Sequence, residues 1–279
     1  MLLPSPTLLL SLGLSLTLSN LASAFCGTSE PSEAGLSVHR SFQALEAERA
    51  AQGLVFSPPQ DERQIQVYVH VILESESDSG LEDEIEEQIT VLNTLFAPVG
   101  FTFQLAGIET ALFEGLGPVD PEGESNAQIK QLRQGGVRDL NLYIVHAIQD
   151  NVAGYATFPW DYTTSPQLDG VVMSRPYIPG GSQEGYNTGS ITAHEVGHWL
   201  GLLHTFQDGC FGGDYVDDTP AEAEPAVGCP ESRDSCLVLP GLDPIHNHMD
   251  YSNDACRTEF SPGQIQRMVA VSDELRPSQ

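Results

Sequence analysis

The stretch that decides the fold is His194-Glu195-Val196-Gly197-His198-Trp199-Leu200-Gly201-Leu202-Leu203-His204. On a helix, at about 100° per residue, His194 and His198 point almost the same way, while the apolar side chains gather on the opposite side. One face can therefore hold a metal while the other is anchored in a core. Gly201 has no Cβ and can turn the chain back, so that His204 arrives as a third nitrogen ligand.

The spacing of this motif indicates a hydrolytic zinc site. A bare His-Glu-x-x-His pair is a moderate signal, but the extension to His204 supplies three imidazoles and leaves one coordination position open. Three neutral nitrogens leave the charge of Zn²⁺ largely undiminished, so the pKa of a bound water can fall to about 7. Glu195 can project toward that water as general base and return the proton to the leaving amine.

Size and charge limit the partners. The chain has 279 residues, enough for one large domain or two smaller ones. It carries 11 basic and 39 acidic residues, a net charge of −28, which would repel phosphate backbones and anionic lipid surfaces. Neither nucleic acid nor a membrane is therefore predicted as a partner, whereas cationic substrates and Ca²⁺ are compatible.

Residues 1–24 have the pattern of a secretory signal peptide. An apolar run, Leu8–Leu16, precedes the small-residue pattern Ala22-Ser23-Ala24, although the first residues lack the usual Lys or Arg. A membrane anchor is the alternative, but the run is short for a bilayer span. The sequence predicts cleavage after Ala24 and a secreted, extracellular protein.

Secretion changes how the five cysteines are interpreted, because an oxidising compartment favours disulfides. Cys210, Cys229, Cys236 and Cys256 all follow the metal motif. They allow two bridges, whose pairing the spacing does not determine, and Cys26 is left over.

The region between the signal peptide and the first strand has a mixed composition. Val38, Phe42 and Leu45 recur at helical spacing and predict a short amphipathic helix around 36–51. We interpret residues 25–62 as a pro-segment that ends in an exposed linker. An ordinary N-terminal extension of the domain is the alternative.

Alternating apolar and β-branched residues indicate the strands of the main domain. Three such patterns cover residues 65–73, 101–105 and 140–145, and two shorter ones, at 154–158 and 170–173, come just before the metal motif. An edge strand in that position could pair with an extended peptide through main-chain hydrogen bonds.

Helices are predicted between these strands. Apolar residues in 85–96 recur at helical spacing after an acidic run, which we interpret as a solvated helix face. A short helix is predicted near 127–134 in the following connection. His70 and His146 lie inside strand patterns, so we interpret them as core or edge histidines and not as ligands.

A second motif lies downstream, Asn247-His248-Met249-Asp250-Tyr251-Ser252, a tight turn whose methionine follows His204 by 45 residues (249 − 204). Together, the extended histidine motif and Met249 resemble the metzincin zinc endopeptidases, in which a Met-turn lies beneath the three-histidine site. Tyr251 matches a tyrosine of the astacin and pappalysin types. The resemblance implies that it stabilises the oxyanion or binds the metal.

The flanks of the motif distinguish between branches of the metzincins. Thr205 follows the third histidine, where astacins have glutamate, matrixins serine and adamalysins aspartate. Four stretches resemble the pappalysin family, most closely its small fungal extracellular and archaeal members: residues 204–207, 213–220, 247–252 and 258–264.

The pappalysin resemblance implies an α+β, metzincin-like fold for a catalytic domain of residues 63–279. Its upper subdomain, 63–204, would be a twisted mixed β-sheet with backing and active-site helices. Its lower subdomain, 205–279, would be irregular, disulfide-linked and closed by a C-terminal helix at about Pro262–Leu275. The substrate cleft would run between the two subdomains.

The resemblance also implies functions for the cysteines. It implies crossed bridges, Cys210 with Cys236 and Cys229 with Cys256. Relatives carry a Cys-Gly-Thr in the pro-segment, as here at Cys26, whose thiolate would be a fourth zinc ligand that displaces the catalytic water. A free or intermolecular cysteine is the alternative. The implied protein is a latent, monomeric zinc endopeptidase that acts on proteins or peptides.

Two further hypotheses concern carboxylates. Asp254 lies in the segment that lines the pocket for the residue after the scissile bond in metzincins, and it would favour Arg or Lys there. That preference predicts self-cleavage between Glu62 and Arg63, whereas a solvated or capping aspartate predicts no such preference. An oxygen-rich loop could bind Ca²⁺, as relatives do, although its spacing is not that of an EF-hand: Asp214, Asp217, Asp218, Thr219 and Glu222.

Two other functions compete with the peptidase. One is a catalytically inactive zinc-binding module that captures peptides in the same cleft, which would require Glu195 to be absent or blocked. The other is a structural, disulfide-linked extracellular module with adventitious metal. Proteolysis that depends on zinc and on Glu195 distinguishes the peptidase from both.

Overall fold

The computed structural model describes residues 25–54, 62–75 and 81–277. The predicted signal peptide and most of the predicted linker lie outside the described residues. Among the described residues, no helix is long and apolar enough to cross a membrane. The helices and strands follow in chain order: α1 Glu33–Ala51, β1 Arg63–Leu73, α2 Glu82–Phe96, β2 Phe101–Leu112, α3 Glu124–Ile129, β3 Leu140–Val145, β4 Gly154–Ala156, β5 Val171–Ser174, α4 Ser190–Trp199 and α5 Pro262–Leu275.

The five strands form one mixed sheet in the order β2-β1-β3-β5-β4. Strands β2, β1, β3 and β5 are parallel, and the short β4 joins the edge antiparallel to β5. All the strands predicted from alternation are present, and the mixed sheet with its helices confirms the α+β fold. Strand β2 extends seven residues beyond the predicted 101–105, because its second half pairs with β1 but is mostly exposed and carries little apolar signal.

Both faces of the sheet are covered. Helices α2 and α4 pack on one face, where Leu92 and Trp199 join inward residues of β1 and β3 such as Val67 and Leu142. Ile129 of α3 belongs to the second core, on the other face. His70 is fully buried in the sheet, with Nε2 2.9 Å from Asn141 Oδ1, as expected of a core histidine.

The buried face of α1 differs from the prediction. The helix begins at Glu33, after the Ser32 side chain accepts a hydrogen bond from the backbone of the first turn. Gly35, His39 and Phe42 are buried, whereas the predicted core residue Leu45 is 40% exposed. Polar contacts of His39 with the domain determine this face, and the apolar spacing in the sequence does not show them.

The region after α4 has little regular structure until α5 and contains two disulfides, Cys210–Cys236 and Cys229–Cys256. This is the pairing that the resemblance implies. Helix α5 begins with a capping box, in which Ser261 and Gln264 each accept a hydrogen bond from the other's backbone N–H.

Arg276 fixes the C-terminal end of α5 to the back of α4. Its guanidinium is fully buried, donates two hydrogen bonds to Asp169, at 2.8 and 3.1 Å, and donates a third to the carbonyl of Trp199. The Arg276 Cζ atom also lies 3.7 Å from the centre of the Trp199 ring. Arg276 therefore fixes α4, the helix that carries His194 and His198, on the side away from the histidines.

Most basic residues of the chain are buried or half-buried. All 11 basic residues lie in the described parts of the chain. Only Arg40 and Arg49 among them are exposed, and both are on α1. Four basic residues are buried: Lys130, Arg257, Arg267 and Arg276.

Candidate active site

Helix α4 places His194 and His198 one turn apart, and every residue of the helix is buried. The helix ends at Trp199, and Gly201 then adopts φ +95°, a left-handed conformation that favours glycine. A Cβ there would also lie 2.8 Å from a methyl group of Val271 in α5. The predicted turn at Gly201 is present, and it returns His204 to the first two histidines.

The three imidazoles converge on one point. Nε2 of His198 lies 3.2 Å from Nε2 of His194 and 3.0 Å from Nε2 of His204. Three nitrogens at about 2.0–2.1 Å from a tetrahedral zinc ion would be about 3.3 Å apart, close to these distances. The spacing therefore suits Zn²⁺.

Hydrogen bonds orient two of the rings. Nδ1 of His194 lies 2.8 Å from the carbonyl oxygen of His248, and Nδ1 of His198 lies 2.8 Å from that of Leu202. Because a carbonyl only accepts, each Nδ1 donates and each Nε2 presents its lone pair to the shared point. Burial lowers the pKa of His198 to about 4, which keeps its ring neutral as a metal ligand requires.

Met249 lies beneath α4, as expected of a Met-turn. A Cβ on Gly197 would lie 2.5 Å from Met249 Sδ, so the helix can rest on the methionine only where it has no side chain. The backbone N–H of Met249 is held by Asn247 Oδ1, and Asn247 is in turn bonded to Gln264 of α5. The turn is thus connected to the C-terminal helix.

Glu195 and Tyr251 flank the histidine cluster. Glu195 is fully buried, and its Oε1 atom has no hydrogen-bond partner among the described residues. Burial raises the pKa of Glu195 to about 8. The hydroxyl of Tyr251 is 3.2 Å from Nε2 of His204, which places it within reach of a metal or of a substrate oxygen bound there.

Cys26 completes the cluster. Its Sγ and one nitrogen of each of the three histidines all lie within 4.8 Å of one another. Burial and the nearby Glu195 raise the pKa of the Cys26 thiol well above its ordinary value, so that a thiolate here requires a cation beside it.

The segment around Cys26 extends the sheet at β4. The backbone N–H of Gly27 donates to the carbonyl of Gly154, and that of Ala153 donates to the carbonyl of Phe25. The hydroxyl of Thr28 accepts a hydrogen bond from the Ala156 N–H and donates one of 2.9 Å to Glu195 Oε2. The segment therefore occupies the edge predicted to pair with an extended peptide and also binds the candidate general base.

Helix α1 anchors this segment to the rest of the protein. Arg267 of α5 donates two hydrogen bonds to Glu46, at 3.1 and 2.9 Å, and its third guanidinium nitrogen lies 2.9 Å from His39 Nδ1. The His39 ring lies against Trp160 and Tyr215. Burial and the Arg267 charge lower the pKa of His39 to about 3.

Asp254 is buried, but its carboxylate already has partners. Oδ2 accepts hydrogen bonds from the backbone N–H and the hydroxyl of Thr188, at 2.9 and 2.7 Å. Oδ1 accepts one of 2.6 Å from Arg257, with which it forms a buried ion pair. The structure thus removes the basis for the expected Arg or Lys preference, and with it that for self-cleavage between Glu62 and Arg63.

The structure separates the five residues predicted to bind Ca²⁺ into two sets. Asp217 is bonded to α1, Asp218 caps α5 and Glu222 pairs with Arg233. Asp214 Oδ2 and Thr219 Oγ1 are buried without a hydrogen-bond partner among the described residues. Binding of Ca²⁺ by this loop stays a prediction.

Sequence reasoning missed three residues of the site. Thr28 holds Glu195, Phe25 packs against the first histidine, and Arg257 pairs with Asp254. Thr28 stands in the Cys-Gly-Thr motif and could have been found from it. Arg257 is three residues after Asp254, a spacing that permits contact on a helix, but the segment there has no predicted helix.

Comparisons with known proteins agree with this geometry. The model of the peptidase M43 family, described as pregnancy-associated plasma protein-A, matches residues 123–273. An extracellular metalloprotease of Pyricularia oryzae is 44% identical over 256 residues, which cover 90% of this chain and 89% of the relative. The chain belongs to the pappalysin family of metalloproteases. Another pappalysin relative, an extracellular metalloprotease of Verticillium alfalfae, is 43% identical and covers 87% of both chains.

Two solved structures resemble this pappalysin. Mature mirolysin of Tannerella forsythia, in complex with a cleaved peptide, has a TM-score of 0.69 and 28% identity, and covers 77% of this chain and 93% of its own. A promirolysin mutant has the same TM-score, 0.69, with 27% identity, and covers 90% of this chain and 94% of its own.

Proposed function

We propose that this chain is a secreted zinc endopeptidase that is synthesised as a latent precursor. The observation that carries the proposal is the convergence of three Nε2 atoms, 3.0–3.2 Å apart between neighbours, with the buried Glu195 beside them. Secretion is supported by the relatives, which are named extracellular metalloproteases. The substrates are proteins or peptides, bound by a monomer.

The chemistry follows from the positions of the side chains. His194, His198 and His204 would hold Zn²⁺, which when bound supplies Lewis acidity to activate water and polarise a peptide carbonyl. Glu195 takes the proton of the attacking water and delivers it to the leaving amine. Tyr251 donates a hydrogen bond to the carbonyl oxygen as negative charge develops on it.

Latency follows from the segment around Cys26. Its thiolate would be the fourth ligand of the metal, Thr28 occupies an oxygen of Glu195, and the backbone covers β4. A substrate could reach none of these groups. We therefore assign residues 25–62 to a pro-segment and 63–279 to the catalytic domain, with subdomains 63–204 and 205–279. The longer match to promirolysin than to mature mirolysin supports this assignment.

Metal analysis and proteolysis together test the proposed function. We expect the purified protein to contain one Zn²⁺ per chain, and chelation to abolish cleavage of casein by the matured form until zinc is restored. His198→Ala should lower the zinc content, because it removes one of three ligands. Cleavage that continues with less than a tenth of the zinc would contradict the proposal.

Replacement of Cys26 tests latency. Cys26→Ala should raise the activity of the zinc-loaded precursor by at least about tenfold, since the removal of one ligand opens the fourth coordination position. In cobalt-substituted precursor, the absorption that arises from thiolate-to-metal charge transfer should disappear. Ser29→Ala, at an exposed neighbour, is the matched control and should change neither measurement. An unchanged spectrum in Cys26→Ala would refute ligation by Cys26.

A further inference from the structure

Phe25, the residue before Cys26, is half-buried and packs beside the histidine cluster. The centre of its ring lies 4.6 Å from that of Tyr251, 5.3 Å from Tyr186 and 6.1 Å from His194. On a further side, Cζ of Arg257 lies 5.4 Å from the centre of the Phe25 ring. These three rings and the guanidinium group form the walls of the pocket in which the Phe25 side chain lies.

The wall that carries Arg257 is fixed by hydrogen bonds. The Asp254 N–H donates to the carbonyl of Gly185, and the Asp254 carboxylate accepts two hydrogen bonds from Thr188 and one from Arg257. The side chains of Asp254 and Arg257 are 2% and 0% exposed. The carboxylate is thus neutralised from inside the protein, and the guanidinium is the group that contacts the Phe25 ring.

We infer that this pocket accepts an aromatic side chain of the substrate and rejects Arg and Lys, with Arg257 as the residue that determines the specificity. The inference rests on the proposed peptidase function and specifies its substrate class. Tyr251 and Arg257 of this pocket belong to the segment after Met249, which the metzincin resemblance places opposite the residue after the scissile bond. The preference therefore concerns that residue.

The physical reason is the arrangement of charge. A substrate Arg or Lys would bring a second cation next to Arg257, while the Asp254 carboxylate already accepts hydrogen bonds from Thr188 and Arg257. An aromatic ring instead gains contacts with Tyr186 and Tyr251 and stacks on the guanidinium of Arg257, as Phe25 does.

A peptide library tests the inference on the matured enzyme. The residue after the scissile bond is varied in otherwise identical peptides, and kcat/KM is measured for each. We expect Phe and Tyr to exceed Arg and Lys by at least about tenfold. Arg257→Met should free the Asp254 carboxylate and raise the relative kcat/KM for Arg at least about tenfold. The double variant Asp254→Asn with Arg257→Met should lose that gain.

A binding measurement separates this inference from the proposed catalysis. Peptides with the sequence of residues 25–30, with Phe25 kept or replaced by Arg or Ala, are titrated into the zinc-loaded catalytic domain carrying Glu195→Ala. Retention of Phe25 should give at least about tenfold tighter binding than Arg. This comparison needs neither turnover nor a folded Arg257 variant.

Three results would overturn the inference. They are equal or better cleavage of peptides with Arg or Lys at this position, a preference for Asp or Glu, and binding of the Arg peptide as tight as that of the Phe peptide. Autocatalytic release of a mature chain that begins at Arg63 would be a cleavage before Arg, and it would count as the first of these three results. A protein that cleaves no peptide but binds the Phe25 peptide selectively would refute the peptidase proposal and keep the pocket.

Discussion

Replacement of Glu195 by Ala is expected to lower kcat/KM for peptide hydrolysis by at least about 10³-fold, within the range found for loss of a general base. Among the described residues, the cluster that could hold a metal consists of Cys26 and the three histidines and contains no carboxylate. Because Glu195 is not one of the three nitrogen ligands, the zinc content of the Glu195→Ala variant should equal that of the unchanged enzyme. Both quantities are measured on the matured enzyme, with a fluorogenic peptide and by metal analysis.

The matched control for Glu195 is Glu184→Ala. Glu184 is an exposed glutamate in the loop before α4 and takes part in none of the contacts of the site. Its replacement should leave kcat/KM within about twofold of the original value. Activity of Glu195→Ala within tenfold of the unchanged enzyme would mean that another group accepts the proton, and the mechanism proposed above would be wrong.

The second large effect is expected on stability. Arg276→Ala should lower the free energy of unfolding by about 3–5 kcal/mol, because the buried Asp169 carboxylate loses the cation that donates two hydrogen bonds to it and keeps only Arg133, at 3.9 Å. Asp169 is 1% exposed, so solvent cannot replace the lost partner. Urea unfolding at pH 7 measures the change, and it should appear as a lower midpoint at a similar slope.

The pH dependence of Arg276→Ala provides a check with a definite sign. Burial alone would raise the pKa of Asp169, but Arg276, with smaller contributions from Trp199 and Lys130, outweighs burial, and the net pKa lies below the ordinary 3.8. A lowered carboxyl pKa stabilises the folded state above the unfolded value and loses that effect as the pH falls through the folded value. The difference between Arg276→Ala and the unchanged protein should therefore shrink below about pH 3.8.

The ion pair of Arg63 with Asp273, in which the carboxylate is exposed, is the control for the buried one. The two side chains are 2.7 Å apart, but that of Asp273 is 53% exposed. Asp273→Asn should cost less than about 1 kcal/mol, as is usual for exposed pairs. Equal costs for Asp273→Asn and Arg276→Ala would mean that Arg276 does not hold α4 in the way described.

The features that the sequence predicted well are local ones. The i, i+4 spacing of His194 and His198, the glycine at 201 and the strand alternation each depend on neighbours along the chain. The structure contains each of them. The Met-turn and the disulfides came from the resemblance, because the distance between Met249 and α4 leaves no periodic pattern in the sequence.

The features that were missed depend on contacts between distant segments. Leu45 fits a helical apolar stripe with Phe42, but the contacts of His39 and Glu46 with Arg267 rotate the buried face of α1 so that Phe42 is buried and Leu45 is exposed. The sequence around Asp254 is the same whether its carboxylate faces the substrate or Arg257. Only the path of the chain in three dimensions decides which of the two it contacts. The acidic loop from Asp214 to Glu222 has a suitable composition for Ca²⁺, but the sequence does not show that Asp217, Asp218 and Glu222 bind separate partners.

The burial of the basic residues has a consequence for chemical labelling. Lys130 is the only lysine of the chain, and its side chain is buried against Tyr143. In the folded protein, a reagent for amines should therefore leave this lysine side chain unmodified. Under the proposed maturation, the α-amino group of the new first residue could then be labelled without competition from a lysine.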